Sequence, residues 1–435
     1  MTLVGESDAA LGEWAHALAR ELWPLPRSLT GGGVRKTIDI LAREMPGLTR
    51  HSVPTGYRAF DWEVPREWNL KRAWIETPDG RVICDTDVHN LHVVGYSTPG
   101  EWRVTLGELK EHLYTEPDLP DAIPYVTSYY ADRWGFCLPE RDLQSLPEGT
   151  YRAVVDATLE PGQLDYADLV LAGESDREIL VSTYLCHPSM ANNELSGIVV
   201  AVALSRIVAA LPRRHYTYRF VFVPETIGSL VYLSSRLGHF RDHVDAGFIL
   251  TCVGDEGPFS YLASRQEDTL ADRLALRALQ AAGVSYRRYS FLDRGSDERQ
   301  YCAPGIELPV CSVMKSKYGT FPEYHTSLDD LEFVTPLGLS ESISVFRRII
   351  DDLENTPRPR TLTLGEPQLG RRGLYSTLSR KGSAQNAMLV RNVLAYADGR
   401  LDLEELSAKI GVPVENVRET VTLLQRHGLV SVHMP

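Results

Sequence analysis

The chain has 435 residues, 43% of them hydrophobic and 24% charged, an ordinary composition for a globular protein with a large core. The formal net charge of -13 argues against general nucleic-acid binding and against binding to an anionic membrane surface. Six scattered cysteines without a CxxC pair fit a reducing cytosol. No secretory signal is visible, and no apolar run reaches the ~18 residues of a membrane span. We therefore expect a cytoplasmic protein of two or three domains, and the sequence leaves open whether it forms homo-oligomers.

Helical and strand patterns alternate along the chain in blocks. Apolar residues recur at helical spacing between residues 7 and 22, and a second helix is predicted from Val34 to Met45. Residues 51–160 show strand alternation and aromatic clusters, which predict an inserted β-rich domain. Two interpretations of its aromatics stay open: hairpin packing, or a cover over a pocket to which His92 or Tyr129 contributes.

The pattern changes again after residue 160. Apolar strands alternate with helices, which predicts a mostly parallel mixed sheet flanked by helices on both faces. The predicted strands of this part are Asp168–Ala172, Ile179–Tyr184, Tyr216–Val223, Asp245–Cys252 and Pro309–Met314. Together with residues 1–50, residues 161–355 should form one α/β domain.

The C-terminal part is predicted to be separate. Residues 356–383 are rich in Pro, Gly, Arg and Ser and indicate a linker. Three helices and a final strand in residues 384–435 indicate a winged helix-turn-helix domain. This domain has five basic and six acidic side chains between 386 and 435, whereas a DNA-binding domain usually presents a basic stripe. Packing or dimerisation is therefore the favoured role.

Polar side chains that could carry chemistry follow the predicted strands. They are His187, Glu194, Glu225, Asp255, Asp297 and His325. Parallel strands end at one edge of a sheet, so these residues can meet there. Two imidazoles and one oxygen donor are a typical zinc set, and a further carboxylate could act as general base. Each residue also has a structural alternative, because a strand-end histidine is often only hydrogen-bonded and a carboxylate often caps a helix.

Five short runs carry a family resemblance. They are His187 with ANNELSG at 191–197, ETIG at 225–228, LTCVG at 250–254, SDE at 296–298 and HTSLD at 325–329. In this order they resemble the ligand loops of the di-zinc aminopeptidases, which have the zinc exopeptidase fold. More narrowly, the whole chain resembles bacterial aminopeptidase-like proteins that add a β-rich insertion and a C-terminal winged helix.

The chain departs from that family at three ligand positions. The resemblance places Asn192 at the bridging aspartate, Thr226 at the second-metal glutamate and Thr251 at the first-metal aspartate. Both histidine ligands are kept, at His187 and His325. Without the bridging carboxylate, one zinc ion is expected instead of two.

The third zinc ligand is a separate hypothesis. Glu194 is a carboxylate in the loop that lost one, so we expect it to bind the metal. The amide oxygen of Asn192 and the carboxylate of Glu225 are the rival ligands.

The resemblance and the residues together predict a zinc-dependent, aminopeptidase-like hydrolase. It would cut a peptide or amide bond near a free amine in a small substrate, with Glu225 as general base and Asp297 orienting the substrate or a histidine. The substrate pocket is predicted to include Asn192, His92, Tyr129 and Arg299. The alternative is a non-catalytic binding or regulatory protein on a peptidase scaffold.

Overall fold

The computed structural model describes residues 7–374 and 383–432. The chain divides into two compact units, Met1–Arg347 and Arg348–Pro435. In chain order, the α-helices of the described residues, α1 to α12, are Asp8–Leu22, Gly32–Glu44, Leu106–Lys110, Glu140–Gln144, Ser196–Ala210, Ile227–His243, Leu270–Ala281, Glu298–Tyr301, Pro336–Asn355, Ser383–Tyr396, Leu403–Ile410 and Val414–Arg426. Their strands, β1 to β18, are Thr49–Pro54, Arg58–Ala59, Trp62–Glu63, Glu67–Glu76, Val82–Ile83, Gly100–Thr105, Leu113–Tyr114, Phe136–Cys137, Thr150–Glu160, Gln163–Leu171, Glu178–Tyr184, Thr217–Val223, Val244–Ile249, Phe259–Leu262, Tyr286–Tyr289, Val310–Met314, Pro359–Thr361 and Val430–Val432.

An eight-stranded mixed sheet is the centre of the first unit. Its order is β1-β10-β12-β11-β13-β16-β14-β15. The four inner strands β12, β11, β13 and β16 are mutually parallel. The β1–β10, β10–β12 and β14–β16 pairs are antiparallel. The prediction of a mostly parallel α/β sheet is therefore confirmed.

Strand β11 is buried throughout and helix α5 over most of its length, because both sequences are largely apolar. All seven residues of β11 are buried, as expected for a strand covered on both faces. Helix α5 packs closely against the sheet, since a Cβ added at Gly197 would lie only 2.3 Å from the Leu250 carbonyl oxygen. The apolar stretch Ala191–Ala210 has the length and composition of a membrane span, but 78% of it is buried within the protein. It is better described as a core helix.

The segment that follows α2 and precedes the α/β part is β-rich, as predicted. Strands β5, β4, β9 and β6 form a four-stranded antiparallel sheet. Many of its aromatics pack on one another, for example Trp134 between Trp102 and His112. Its predicted start at residue 51 is too early, because β1 pairs with β10 of the central sheet.

The second unit contains the winged helix. Helices α10, α11 and α12 enclose a core that includes Leu406, Val417 and Leu424. Strand β17 pairs antiparallel with β18. The predicted linker at 356–383 therefore includes the strand β17, which satisfies backbone hydrogen-bonding groups of β18. Residues 375–382 of that linker and 433–435 of the predicted domain lie outside the described residues.

Candidate active site

Four parallel strands bring the predicted site residues to one edge of the sheet. His187 follows β11, Glu225 follows β12, Thr251 follows β13, and the loop after β16 carries His325. This edge is where ligands bind in open α/β sheets. The insertion also reaches it, because the Tyr125 N–H donates to the His325 carbonyl oxygen at 2.8 Å and Pro124 pairs with Thr326.

The loop after β11 folds around the carboxylate of Glu194. The backbone N–H groups of Cys186 (2.6 Å) and His187 both donate to Glu194 Oε2. On the other side, Arg27 Nε donates to Glu194 Oε1 at 2.6 Å, and both side chains are completely buried. Arg27 Nη1 donates to the Leu22 carbonyl oxygen at 2.6 Å, which ties the end of α1 to the same point. Glu194 is therefore the acceptor around which this loop is built.

Glu194 also sets the protonation of the His187 ring. His187 Nδ1 lies 3.0 Å from Glu194 Oε2, and a carboxylate can only accept, so the proton is on Nδ1. The other ring nitrogen, Nε2, faces Glu225 Oε2 at 3.7 Å. A histidine whose far nitrogen donates to a carboxylate is the usual arrangement for a metal-binding imidazole.

The second imidazole lies beside the first. The ring centroids of His187 and His325 are 5.7 Å apart, and Tyr125 packs against both at 5.2 and 5.1 Å. Burial and the neighbouring His187 lower the pKa of His325 to about 3, so its ring is neutral at physiological pH. Two rings at this separation can flank a single ion with nitrogen–metal distances near 2 Å.

Glu225 sits in a strained turn at the start of α6. The Ile227 N–H donates to the Glu225 carbonyl oxygen at 2.8 Å, which closes a γ-turn centred on Thr226 with φ 64° and ψ -74°. Positive φ is rare for a β-branched residue. The Glu225 side chain is 23% exposed, and burial raises its pKa above the ordinary value despite the opposing charges of His187 and Arg299. A partly desolvated carboxylate of this kind suits a proton acceptor.

Asp297 holds this turn through hydrogen bonds. Its Oδ1 accepts hydrogen bonds from the Thr226 N–H at 2.7 Å and from Ser229 Oγ at 3.0 Å. Its Oδ2 is buried without a hydrogen-bonding partner among the described residues. Burial and the nearby Glu225 raise the pKa of Asp297 to about 8. Through these contacts Asp297 holds the backbone of the turn that carries Glu225.

A single π-helical turn, Ala191–Leu195, precedes α5 and presents the two asparagines differently. Asn192 is used inside the protein: its Nδ2 donates to Asp255 at 2.8 Å and its Oδ1 accepts from the Gly254 N–H at 2.8 Å. Asn193 instead places its amide nitrogen 3.4 Å from His325 Nε2. π-turns of this kind are frequent at functional sites.

Asp329 holds the turn in place. Its two oxygens accept from the backbone N–H groups of Asn192 (2.5 Å) and Asn193 (3.0 Å). Burial raises the pKa of Asp329 to about 7, although these two hydrogen bonds oppose the shift. The HTSLD run thus contributes a histidine to the site and an aspartate to its support.

A pocket of about 200 Å³ opens beside Glu225. Its wall combines polar groups and aromatic side chains from the α/β part and from the insertion: Leu29, Trp62, Tyr129, Tyr130, Cys186, Glu225, Thr226, Ile227, Arg299 and Gln300. Tyr129 is linked to the imidazole pair because its hydroxyl lies 3.0 Å from that of Tyr125. Of the predicted pocket residues, Tyr129 and Arg299 line this wall.

The structure contradicts three of the predicted roles. Glu194 is a poor metal ligand because Arg27 and two backbone N–H groups already occupy its oxygens. Asn192 is excluded from the pocket by its bonds to Gly254 and Asp255. His92 is turned towards the carbonyl oxygen of Cys137, 2.9 Å from Nδ1, within the insertion.

Sequence reasoning also missed residues that shape the site. Tyr125, Asn193 and Arg27 make direct contacts with the imidazole pair or its supporting carboxylate. Asn193 could have been found, because it belongs to the same run as Asn192 and differs by one position in register. Tyr125 and Arg27 had no local signal, because each is brought in from a distant segment.

Half of the strained backbone positions in the described residues lie at or near the site. Five of the ten non-glycine residues with positive φ are found there: Tyr129 (31°), Ser189 (46°), Cys252 (53°), His325 (57°) and Thr226 (64°). Each such residue costs on the order of 1–3 kcal/mol and persists only where its surroundings hold it. This clustering supports a functional site at this edge.

A metal ion fits some of these residues better than others. Cys186, His187 and Glu194 have potential ligand atoms within 4.8 Å of one another. That group is a poor metal site, because Glu194 is saturated and burial raises the pKa of the Cys186 thiol to about 11. His187, His325 and Glu225 do not form such a group among the described residues, although His187 Nε2 lies 3.7 Å from Glu225 Oε2 and the ring centroids of His187 and His325 are 5.7 Å apart.

Fold and site together define an aminopeptidase-like α/β protein with an appended winged helix. The chain belongs to the family described as a domain of unknown function (DUF4910), whose model matches residues 16–356, and a winged helix-turn-helix model matches residues 358–432.

Several known proteins are similar to this chain. A protein of Clostridium acetobutylicum, provisionally called a polysaccharide biosynthesis protein with an aminopeptidase-like domain, is 38% identical over 429 residues, 98% of each chain. A solved structure from that organism, provisionally called a peptidase, has 38% identity and a TM-score of 0.81 over 98% of this chain and 97% of its own. A zinc aminopeptidase of Bacillus subtilis shares the fold, with 14% identity and a TM-score of 0.57 over 78% and 94% of the two chains.

Proposed function

We propose that this protein is a metal-dependent hydrolase that cuts a peptide or amide bond near a free amine. One zinc ion would be held by His187 and His325. The observation that carries this proposal is the orientation of His187, whose Nδ1 is fixed by Glu194 at 3.0 Å while Nε2 faces Glu225 at 3.7 Å. In this orientation Nε2 is the nitrogen left for a metal ion, which is the usual arrangement of a metal-binding imidazole.

The residues of the chain have distinct roles in this reaction. A bound zinc ion supplies a Lewis acid that makes water a nucleophile near neutral pH. Glu225 removes a proton from the attacking water, whose oxygen forms a bond to the amide carbon. The C–N bond then breaks, and Glu225 returns the proton to the leaving amine, which gives one amine and one carboxylic acid. Asp297 keeps Glu225 in place through the Thr226 turn.

The pocket limits the substrate. A volume of about 200 Å³ admits a small molecule or one end of a chain, and aromatic residues of the insertion close one side. We expect small peptides or amides, and the assay panel should include an N-acetylated amino sugar. That substrate is included because the Clostridium acetobutylicum relative is named for polysaccharide biosynthesis.

Metal analysis tests the proposal directly. Purified protein is loaded with Zn²⁺, dialysed, and its zinc content measured by elemental analysis for wild type, His187→Ala and His325→Ala. His427→Ala is the matched control, because His427 is exposed in the winged-helix unit. We expect one zinc per chain in wild type and control, and a loss in both site variants. Zinc content that is unchanged in both site variants contradicts the proposal.

Activity is tested separately from metal binding. Glu225→Gln should keep zinc but lose hydrolysis by roughly 10²–10⁴-fold, because general-base catalysis contributes that much. Amino-acid amides and short peptides are suitable substrates, with release of amine as the readout.

A second candidate is a non-catalytic binding protein. It is favoured by Thr251, whose hydroxyl donates to the Asn193 carbonyl oxygen at 2.8 Å and lies 2.6 Å from the Tyr184 hydroxyl. Thr251 lies where the aminopeptidases that this chain resembles have a metal ligand, and here its hydroxyl is used for hydrogen bonds inside the protein. Zinc binding without any hydrolysis across the panel would favour this candidate.

A further inference from the structure

We propose that Arg299 binds a carboxylate of the substrate, so that the substrates are dipeptides with a free amine at one end and a carboxylate at the other. In a dipeptide a single carbon joins the amide nitrogen to the carboxylate, and the leaving group is an amino acid. This inference rests on the proposed hydrolase function and names its substrate class.

The guanidinium of Arg299 is held at the pocket by two fixed contacts. Its Nε donates to the Ser296 carbonyl oxygen at 3.0 Å, and its Nη2 donates to Thr226 Oγ1 at 2.9 Å. Among the described residues, Nη1 has no recorded hydrogen-bonding partner. The side chain is therefore oriented by the site itself, and its outer N–H groups are available to a ligand. A planar guanidinium with two outer donors matches a carboxylate bidentately.

The charges in the pocket limit the ligand to at most one negative group. Among the residues that line the wall, Arg299 is the one base and Glu225 the one acid. The two are close enough for the Arg299 charge to oppose the rise in the pKa of Glu225. A monoanionic carboxylate balances Arg299, whereas a phosphate dianion would add repulsion against Glu225.

The position of Arg299 relative to the bond that is cut determines the substrate class. Arg299 bonds to Thr226, the residue directly after Glu225, so anion site and general base are fixed to the same turn. A carboxylate held there lies near the amide that Glu225 serves. The aromatic wall of Trp62 and Tyr130, with the Tyr130 hydroxyl donating to the Glu63 carbonyl oxygen at 2.9 Å, leaves room for a small side chain.

The first test compares matched substrates in the zinc-loaded full chain. They are alanyl-alanine, its C-terminal amide, and N-acetyl-alanine. Wild type should have a kcat/KM for alanyl-alanine roughly 10- to 100-fold above that for the amide, the range expected for a charge-assisted pair. In Arg299→Met the ratio should fall to about one. Arg299→Lys should have an intermediate ratio, because lysine keeps the positive charge and loses the paired donors of the guanidinium.

The control variant is Arg294→Met, an exposed arginine of the same loop that lies outside the pocket wall. It should keep the wild-type ratio. A wild type that treats the acid and the amide alike overturns the proposal, as does an Arg299→Met variant that lowers kcat/KM equally for both. N-acetyl-alanine distinguishes an acylase, which hydrolyses it, from a dipeptidase, which needs the free amine.

Binding separates this inference from the proposed function. If no substrate is hydrolysed, calorimetric titration with N-acetyl-alanine and with N-acetyl-alaninamide decides the role of Arg299. Binding of the acid alone, weakened roughly 10- to 100-fold in Arg299→Met, supports the carboxylate site while the hydrolase proposal fails. Equal binding of acid and amide, or binding of neither, overturns the carboxylate site as well.

Discussion

Replacing Glu194 by Gln distinguishes a supporting residue from a metal ligand. In the folded protein Glu194 accepts from Arg27 Nε at 2.6 Å, from the Cys186 N–H at 2.6 Å and from the His187 N–H and Nδ1. Glutamine keeps one acceptor oxygen and replaces the other by an NH₂ group, which is directed at donors. Arg27, which has no exposed side-chain surface, would then hold its charge without a carboxylate.

The expected cost follows from this burial. Removing one partner of a buried ion pair destabilises a protein by about 3–5 kcal/mol, because an uncompensated charge stays in the interior. Arg27 Nη2, which has no hydrogen-bonding partner in the part of the chain that the structure describes, leaves little capacity to compensate. We expect Glu194→Gln to lose about 3–5 kcal/mol of unfolding free energy in the metal-free protein.

Urea denaturation of metal-free protein, followed by circular dichroism, measures this loss. Glu256→Gln is the control because Glu256 is exposed. The double variant Arg27→Met with Glu194→Gln should be less unstable than the sum of the single variants, because it removes both charges. If Glu194→Gln is as stable as wild type without metal and loses only zinc affinity, Glu194 is a ligand and the reasoning is refuted.

Three further outcomes follow from the structure. Thr226→Gly should raise the free energy of unfolding by about 1 kcal/mol, since backbone strain of about 1–3 kcal/mol exceeds the entropic cost of glycine. Urea denaturation measures the change. A lower free energy of unfolding would mean that the lost hydrogen bond from Arg299 to Thr226 matters more than the strain. The raised pKa of Asp297, from 3.8 to about 8, means that the native state keeps a proton which the unfolded state has released, so its contribution is full below pH 3.8 and is lost as pH rises to about 8. Asp297→Asn should flatten that part of the stability–pH curve, and an unchanged curve would assign the slope to other groups. The full chain should show no measurable binding to duplex DNA in 0.15 M salt by fluorescence anisotropy, because exposed Glu415 and Glu419 lie on α12, and micromolar binding would contradict this.

Local patterns were enough to predict much of the α/β fold. The largely apolar run at Ile179–Tyr184 predicted β11, because a strand covered on both faces is mostly apolar. The winged helix followed from three amphipathic helices and a terminal strand. Its partner strand β17 was missed, since Pro359–Thr361 has no strand alternation and pairs with segments distant in the chain, mainly β18.

The site was predictable in its strand-end residues and not in its contacts. The sequence predicted that His187, Glu225 and His325 lie at one edge, because parallel strands deliver their carboxyl ends there, and their roles in metal binding and catalysis stay predictions. The roles of Glu194 and Asn192 were wrong, because side-chain direction depends on the π-turn at Ala191–Leu195, which no spacing rule indicates. Arg27 saturates Glu194 from 167 positions away in the chain.

By itself, then, the sequence determined the order of strands and helices and the chemical types available at their ends, since both depend on near neighbours in the chain. Only the tertiary structure decided which carboxylate holds the His187 loop and which carboxylate faces the pocket. It also decided that Tyr125 of the insertion packs against both imidazoles. The physical reason is that hydrogen-bond capacity is spent on partners brought together by packing. A carboxylate already satisfied by an arginine and two backbone N–H groups has little left to offer a metal.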